Sequence, residues 1–174
     1  MKVFSVKFIT RTALLLAVVV AVQMVGRLLP FNNFIVGPLV NACLVVSTAM
    51  LGIWGGLIVS VVSPFTSLIN NHAPVAAALL PFAPFVAVGN FLMVLGYYLL
   101  RKKSQIAGVV TGAVLKFAFL WCAIVVFLRI FTFPKFAQAL LKLFTWPQLI
   151  TALIGGAVAI LVIEALKKNM DMDS

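Results

Sequence analysis

Ala13-Leu14-Leu15-Leu16-Ala17-Val18-Val19-Val20-Ala21 carries no polar side chain, and its reading decides the fold. It lies inside an apolar run over residues 8–29, closed by Pro30. About 20 such residues cross a bilayer as a helix, so this run is a transmembrane span. Its three alanines stand four apart, and steps of four drift only slowly around a helix, so Ala13, Ala17 and Ala21 form a shallow groove where another helix can approach closely. Two readings follow: contact with a neighbouring helix of the same chain, or a docking face for a different protein.

Composition extends the membrane assignment to the whole chain. Of 174 residues, 64% are hydrophobic and only 9% charged, with a mean hydropathy of +1.24. A soluble globule of that size needs far more polar surface. The net charge of +10 is scattered along apolar segments rather than gathered on a soluble face, which argues for lipid headgroups and against nucleic acid as the partner. Cys43 and Cys122 both sit in apolar segments without CxxC spacing, so they read as core residues, with no metal site. The N-terminal run is long enough to span and more spans follow, so it reads as an uncleaved first helix and not a secretory signal.

The same ruler divides the rest of the chain. Asn32-Asn33 leads to a second span over 34–51, and the Gly52-Ile53-Trp54-Gly55-Gly56 turn to a third over 53–69. After Asn70-Asn71-His72-Ala73-Pro74, a fourth covers 75–100, interrupted by Pro81 and Pro84 and ending at Arg101-Lys102-Lys103. The fifth runs 105–130 and the sixth 147–166. The expectation is an all-α integral membrane protein of six transmembrane helices, folded as one domain over residues 1–174. Between the last two spans, Lys135, Gln138 and Lys142 recur at helical spacing among Phe133, Phe136, Leu140, Leu143 and Phe144, the pattern of a short interfacial helix. It either caps a mouth of the bundle or rests on lipid.

Basic residues orient the spans. With the N-terminus inside, Lys2, Lys7, Arg11, Arg101, Lys102, Lys103, Lys167 and Lys168 are cytoplasmic, Arg27, Arg129, Lys135 and Lys142 are external, and Lys116 is in the bilayer. Both termini are then cytoplasmic, and Asn33, Asn71 and His72 lie on outer loops.

The acids are few: Glu164, Asp171 and Asp173, all near the C-terminus. No carboxylate lies deep in a span, which removes paired-carboxylate catalysis, oxygen-rich metal sites and the acidic relays of many ion-coupled carriers. There is no HExxH and no phosphate-binding Gly-rich loop ending in Lys-Ser/Thr. Ser60, Ser63 and Ser67 near His72 lack any nucleophile signature. The chain reads as a protein without catalytic residues, metal or cofactor of its own.

Lys116 stands about 15 Å past the cytoplasmic basic cluster at 1.5 Å per residue, near the midplane. A lysine there costs about 2.5–3.5 kcal/mol on insertion scales. It requires carbonyls, water, a neutral state, a ligand anion or a partner's acid. Asn90 in the fourth span, Asn41 in the second, Gln148 at the start of the sixth and Trp121, one turn beyond Lys116 and able to stack on a ring, complete a candidate substrate-binding set with Asn33, Asn71 and His72.

A basic chain of this length with six spans, both ends inside, the Ala13-x-x-x-Ala17-x-x-x-Ala21 stripe and no energising machinery resembles the substrate-binding S component of an energy-coupling-factor (ECF) vitamin transporter. The resemblance implies that Ala13, Ala17 and Ala21 dock on a transmembrane coupling subunit joined to two cytoplasmic ATPases, which use the ATP. It implies capture of a vitamin or related micronutrient from outside a prokaryotic plasma membrane and its delivery inward. It also places Asn33, Asn71 and His72 on loops that shutter the site, and Asn90, Lys116, Trp121 and Gln148 on pocket-lining helices. Lys116 favours an anionic ligand of the pantothenate, nicotinate, biotin or folate class. A neutral ring, pyridoxine-like or a deazapurine, is the alternative. The competing readings are a stand-alone small permease or exporter, a membrane enzyme and an assembly factor.

Overall fold

The computed structural model describes residues 5–26, 28, 32–68, 80–131 and 137–172, and among them the chain is all-helical. The elements are α1 (Val6–Gly26), α2 (Asn32–Ser67), a 3-10 turn (Leu80–Phe82), α3 (Ala83–Leu100), α4 (Gln105–Ile130), α5 (Ala137–Phe144) and α6 (Trp146–Met172). Five of these segments are long and apolar enough to cross a membrane. Helices are the form such a composition must take, since lipid offers no partner to a backbone N–H or C=O left open.

α2 is two arms. Gly52 alone leaves the helix, with φ 72° and ψ −166°, a conformation open essentially to glycine. The chain reverses there: a Cβ placed on Gly56 would touch Thr48 Oγ1, and one on Gly55 the Ser47 carbonyl. Residues eight apart in a straight helix lie about 12 Å apart. The expected five-residue turn thus contracts to one glycine, while Gly55 and Gly56 are helical and serve close packing. The Thr48 and Ala49 carbonyls near the break accept hydrogen bonds from the Arg101 guanidinium, which also lies 4.8 Å over the Tyr98 ring. A residue expected only to mark the cytoplasmic side therefore ties the end of α3 to the bend of α2.

The prolines of the fourth span correct a second expectation. Pro84 sits in the first turn of α3 and Pro81 in the 3-10 turn before it, so neither interrupts the helix or frees carbonyls inside it. Proline is tolerated at a helix start, where its missing N–H would have no partner anyway. α4 spans the residues expected of the fifth segment, with Ser104 Oγ accepting from the Ala107 amide as its N-cap, whereas α6 runs on past Lys167-Lys168 to Met172.

α2 lies centrally and packs on α1, α3 and α6, while α4 packs on α3 and α6. One apolar cluster joins Val19, Leu44, Val45, Val59, Met93, Val94, Tyr97, Val109 and Ala159. A second, aromatic-rich, gathers Phe82, Leu120, Ile124, Phe127, Leu140 and Phe144. α5 supplies the last two, with the Phe82 and Phe144 ring centroids 4.6 Å apart, and turns Gln138 and Lys142 outward. It is a short amphipathic helix seated on the bundle. Residues 132–136, including Lys135, Phe133 and Phe136, lie outside the described set.

Candidate ligand-binding chamber

Helical periodicity decides what each span turns inward. On α1 the buried residues are Thr12, Val19, Gln23 and Gly26. At 100° per residue these sit roughly opposite Ala13, Ala17 and Ala21, and all three alanines are exposed. Among the described residues the stripe is left open and not buried in the bundle, as a docking face requires. On α4 the inward row is Gly108, Gly112, Ala113, Lys116, Leu120, Ile124 and Phe127, which carries Lys116 into the interior and not toward lipid.

Lys116 faces a cavity of about 170 Å³. Its walls come from Gln23 of α1, Gly37, Val40 and Asn41 of the first arm of α2, Ser63, Pro64 and Ser67 of the second, Ala83, Val86 and Asn90 of α3, and Phe144, Gln148 and Thr151. These positions lie toward the ends of their helices remote from Gly52 and Arg101, so the chamber occupies the half of the bundle away from the Arg101-Lys102-Lys103 cluster.

Its polar groups are deeply buried: Gln23 and Asn41 are 2% exposed, Asn90 3% and Lys116 4%. Lys116 Nζ donates to Asn41 Oδ1 at 2.6 Å. No acid stands nearby among the described residues, since Glu164 is exposed in the opposite half of α6. Gln23 Nε2 donates to the Ser63 carbonyl at 2.9 Å, and Asn90 Nδ2 to Ser63 Oγ at 3.1 Å. The other halves of those amides, Gln23 Oε1 and Asn90 Oδ1, are buried without a donor among the described residues. Each such orphan costs about 1–3 kcal/mol. Gly155 backs this wall, because a Cβ there would strike the Pro38 carbonyl and Asn41 Cβ.

The chamber therefore unites Asn41, Asn90, Lys116 and Gln148 from the sequence-derived set. Gln148 spends its Nε2 on the Leu143 carbonyl at 3.0 Å, fastening the start of α6. Trp121 corrects the expectation of ring stacking: it is 42% exposed, clusters with Phe117 and Trp146 at centroid distances of 5.3 and 6.0 Å, and is no part of the wall. It follows Leu120 by one residue, about 100° from the inward row. Asn71 and His72 lie outside the described residues, as does the Asn33 side chain. Gln23, Ser63 and Thr151 are wall residues that sequence reasoning did not select as ligands. Gln23 had a signal, as the lone amide of α1 on the face opposite the alanines. Ser63 and Thr151 had none, because most small hydroxyls in apolar helices bond back to their own helix, as Ser60 does to the Gly56 carbonyl.

Apolar helices enclosing a small polar chamber define the class: a multi-pass membrane protein built around an internal pocket. Within that class the family is settled, since the model of the ECF transporter substrate-specific component matches residues 7–166, and the chain belongs to that family. It is the substrate-specific subunit of a transporter and not an enzyme, with a small-molecule substrate and an ECF module as its partner. No curated protein and no solved structure matches the chain.

Proposed function

We propose that this S component captures an anionic vitamin or related micronutrient from outside and passes it inward when an ATP-driven module engages it. The observation that carries the reading is Lys116: a buried ammonium on a chamber wall, with the neutral Asn41 Oδ1 as its acceptor and no acid beside it among the described residues. A ligand carboxylate would supply the missing charge. Pantothenate, nicotinate, biotin and folate are the classes to which this applies.

The two arms of α2 would each cross the bilayer, giving six crossings with both termini cytoplasmic in a prokaryotic plasma membrane. Arg101-Lys102-Lys103 and Lys167-Lys168 would then lie inside, the chamber would open outward, and α5 would rest at the outer interface. The exposed alanine stripe would receive a helix of the coupling subunit, whose two ATPases supply the drive that this chain lacks. Asn33, Asn71 and His72 would sit on the loops above the chamber.

Native mass spectrometry of the purified chain tests the capture step: a co-purified small molecule is expected. Its absence, together with no binding across a vitamin panel, would remove the reading. Solute accumulation by the chain reconstituted alone would replace it with a stand-alone permease.

A further inference from the structure

Away from the chamber, α4 and α6 leave a groove between them near the end of the bundle that carries Arg101. Val109, 4% exposed, forms its floor, and the exposed Ile106, Val110, Leu153 and Leu161 form its rims. Every residue lining it is aliphatic. Gly156 lets the two helices touch there, because a Cβ on it would strike Val109 Cγ1. An aliphatic groove does not hold water, and left empty it forfeits dispersion contacts. In a bilayer, acyl chains or an apolar helix fill such a space, and the charges at its end discriminate between them.

Lys102 and Lys103, both exposed, precede the Ser104 N-cap of α4. No acid lies in the first turn of that helix, and Glu164 is the first acid in the whole sequence. Arg101 is already committed to the Thr48 and Ala49 carbonyls, so the two lysines carry the free charge of this turn. On α6, exposed Lys167 and Lys168 fall with Glu164 in the same sector, about 120° wide, as Leu153, Ala157, Ile160 and Leu161. Measured from the level where Val109 meets Gly156, Lys103 stands about 9 Å along, Glu164 about 12 Å and Lys167 about 16 Å, at 1.5 Å per residue. Cations thus line the way out of the groove, and Glu164 offsets one of them.

We propose that the α4–α6 seam holds one anionic phospholipid, with an acyl chain in the groove, its phosphate on Lys102 and Lys103, and Lys167 beside it. Basic pockets between transmembrane helices take such headgroups. The site is independent of what the chamber captures and of which way the bundle points.

Native mass spectrometry tests it on the purified chain in mixed micelles holding equal amounts of palmitoyl-oleoyl phosphatidylglycerol and phosphatidylcholine. One bound phosphatidylglycerol is expected, preferred at least fivefold over phosphatidylcholine. Lys102→Gln with Lys103→Gln is expected to bring the preference below twofold, whereas Lys102→Arg with Lys103→Arg keeps it. Ala157→Trp, at an exposed position inside the groove, is expected to cut phosphatidylglycerol retention at least threefold with the thermal midpoint in place. Equal retention of the two lipids by the wild-type chain, or a preference that survives loss of both lysines, would overturn the proposal. Full retention in Ala157→Trp would also overturn it, reducing the effect to diffuse surface attraction. Crosslinking of an Ile106→Cys variant to the coupling subunit, with no lipid retained by the isolated chain, would assign the groove to a partner helix instead.

Discussion

Lys116 Nζ and Asn41 Oδ1 meet at 2.6 Å although 75 positions separate the two residues in the chain. One helix contributes a charge that the bilayer penalises, and another contributes a neutral dipole that holds it in place without cancelling it. An acid at the second position would have given a closed ion pair. The amide instead keeps the charge available, and in a dry wall such a charge interacts strongly with whatever anion enters.

Lys116→Met is therefore expected to weaken a carboxylate ligand by on the order of 1–3 kcal/mol, the usual worth of a hydrogen bond to a charged group. Titration calorimetry with wild-type and variant chains measures it. Unchanged affinity would make Lys116 a structural lysine held by Asn41 alone.

Asn41→Asp separates the two roles of the pair. The new carboxylate would sit at hydrogen-bond distance from the ammonium, so the fold is retained while the charge is consumed. Binding of a carboxylate ligand is expected to fall at least as far as in Lys116→Met, with no loss in thermal midpoint. Retained affinity would show that the ligand's negative end lies elsewhere.

Much of this arrangement was legible in residue order because the membrane simplifies the code. Spans announce themselves by length, and a lone lysine in apolar sequence is too costly to be incidental. Asn41, Asn90 and Gln148 were found by the same logic. What sequence order could not supply was rotation about each helix axis. Trp121 and Leu120 are adjacent in sequence, yet one faces out and the other is wholly buried. Gln23 lies on the face of α1 away from the alanine stripe, where an amide among apolar residues is the one sign that the inner face is polar-lined. Pro81 and Pro84 looked like interruptions only because the helix start lay later than hydropathy alone placed it.

Ala17→Trp tests the outer face of α1. The position is exposed and about 120° around the helix from Gln23, and an indole there would fill the groove between Ala13 and Ala21. Ligand binding by the isolated chain is expected to persist within about twofold, and uptake into cells that carry the coupling module to stop. Parallel loss of both would return the stripe to a role in bundle stability.

Gly52→Ala isolates backbone strain from packing. A Cβ at this position has no heavy atom within 4 Å, so nothing is crowded by the added methyl; what changes is the cost of holding φ 72° and ψ −166° with an L side chain, about 1–3 kcal/mol. Gly112→Ala differs, because its new Cβ would strike the Met93 carbonyl where α3 and α4 touch. Both variants are expected to unfold at lower temperature in detergent. Ligand affinity should stay near wild type in Gly52→Ala, since the bend lies at the end of the bundle remote from Lys116, and should fall in Gly112→Ala, which displaces α4 one turn from that lysine. Equal loss of affinity in the two would mean that the bend at Gly52 is mechanically coupled to the chamber, with the Arg101 bonds to the Thr48 and Ala49 carbonyls as the connection to examine first.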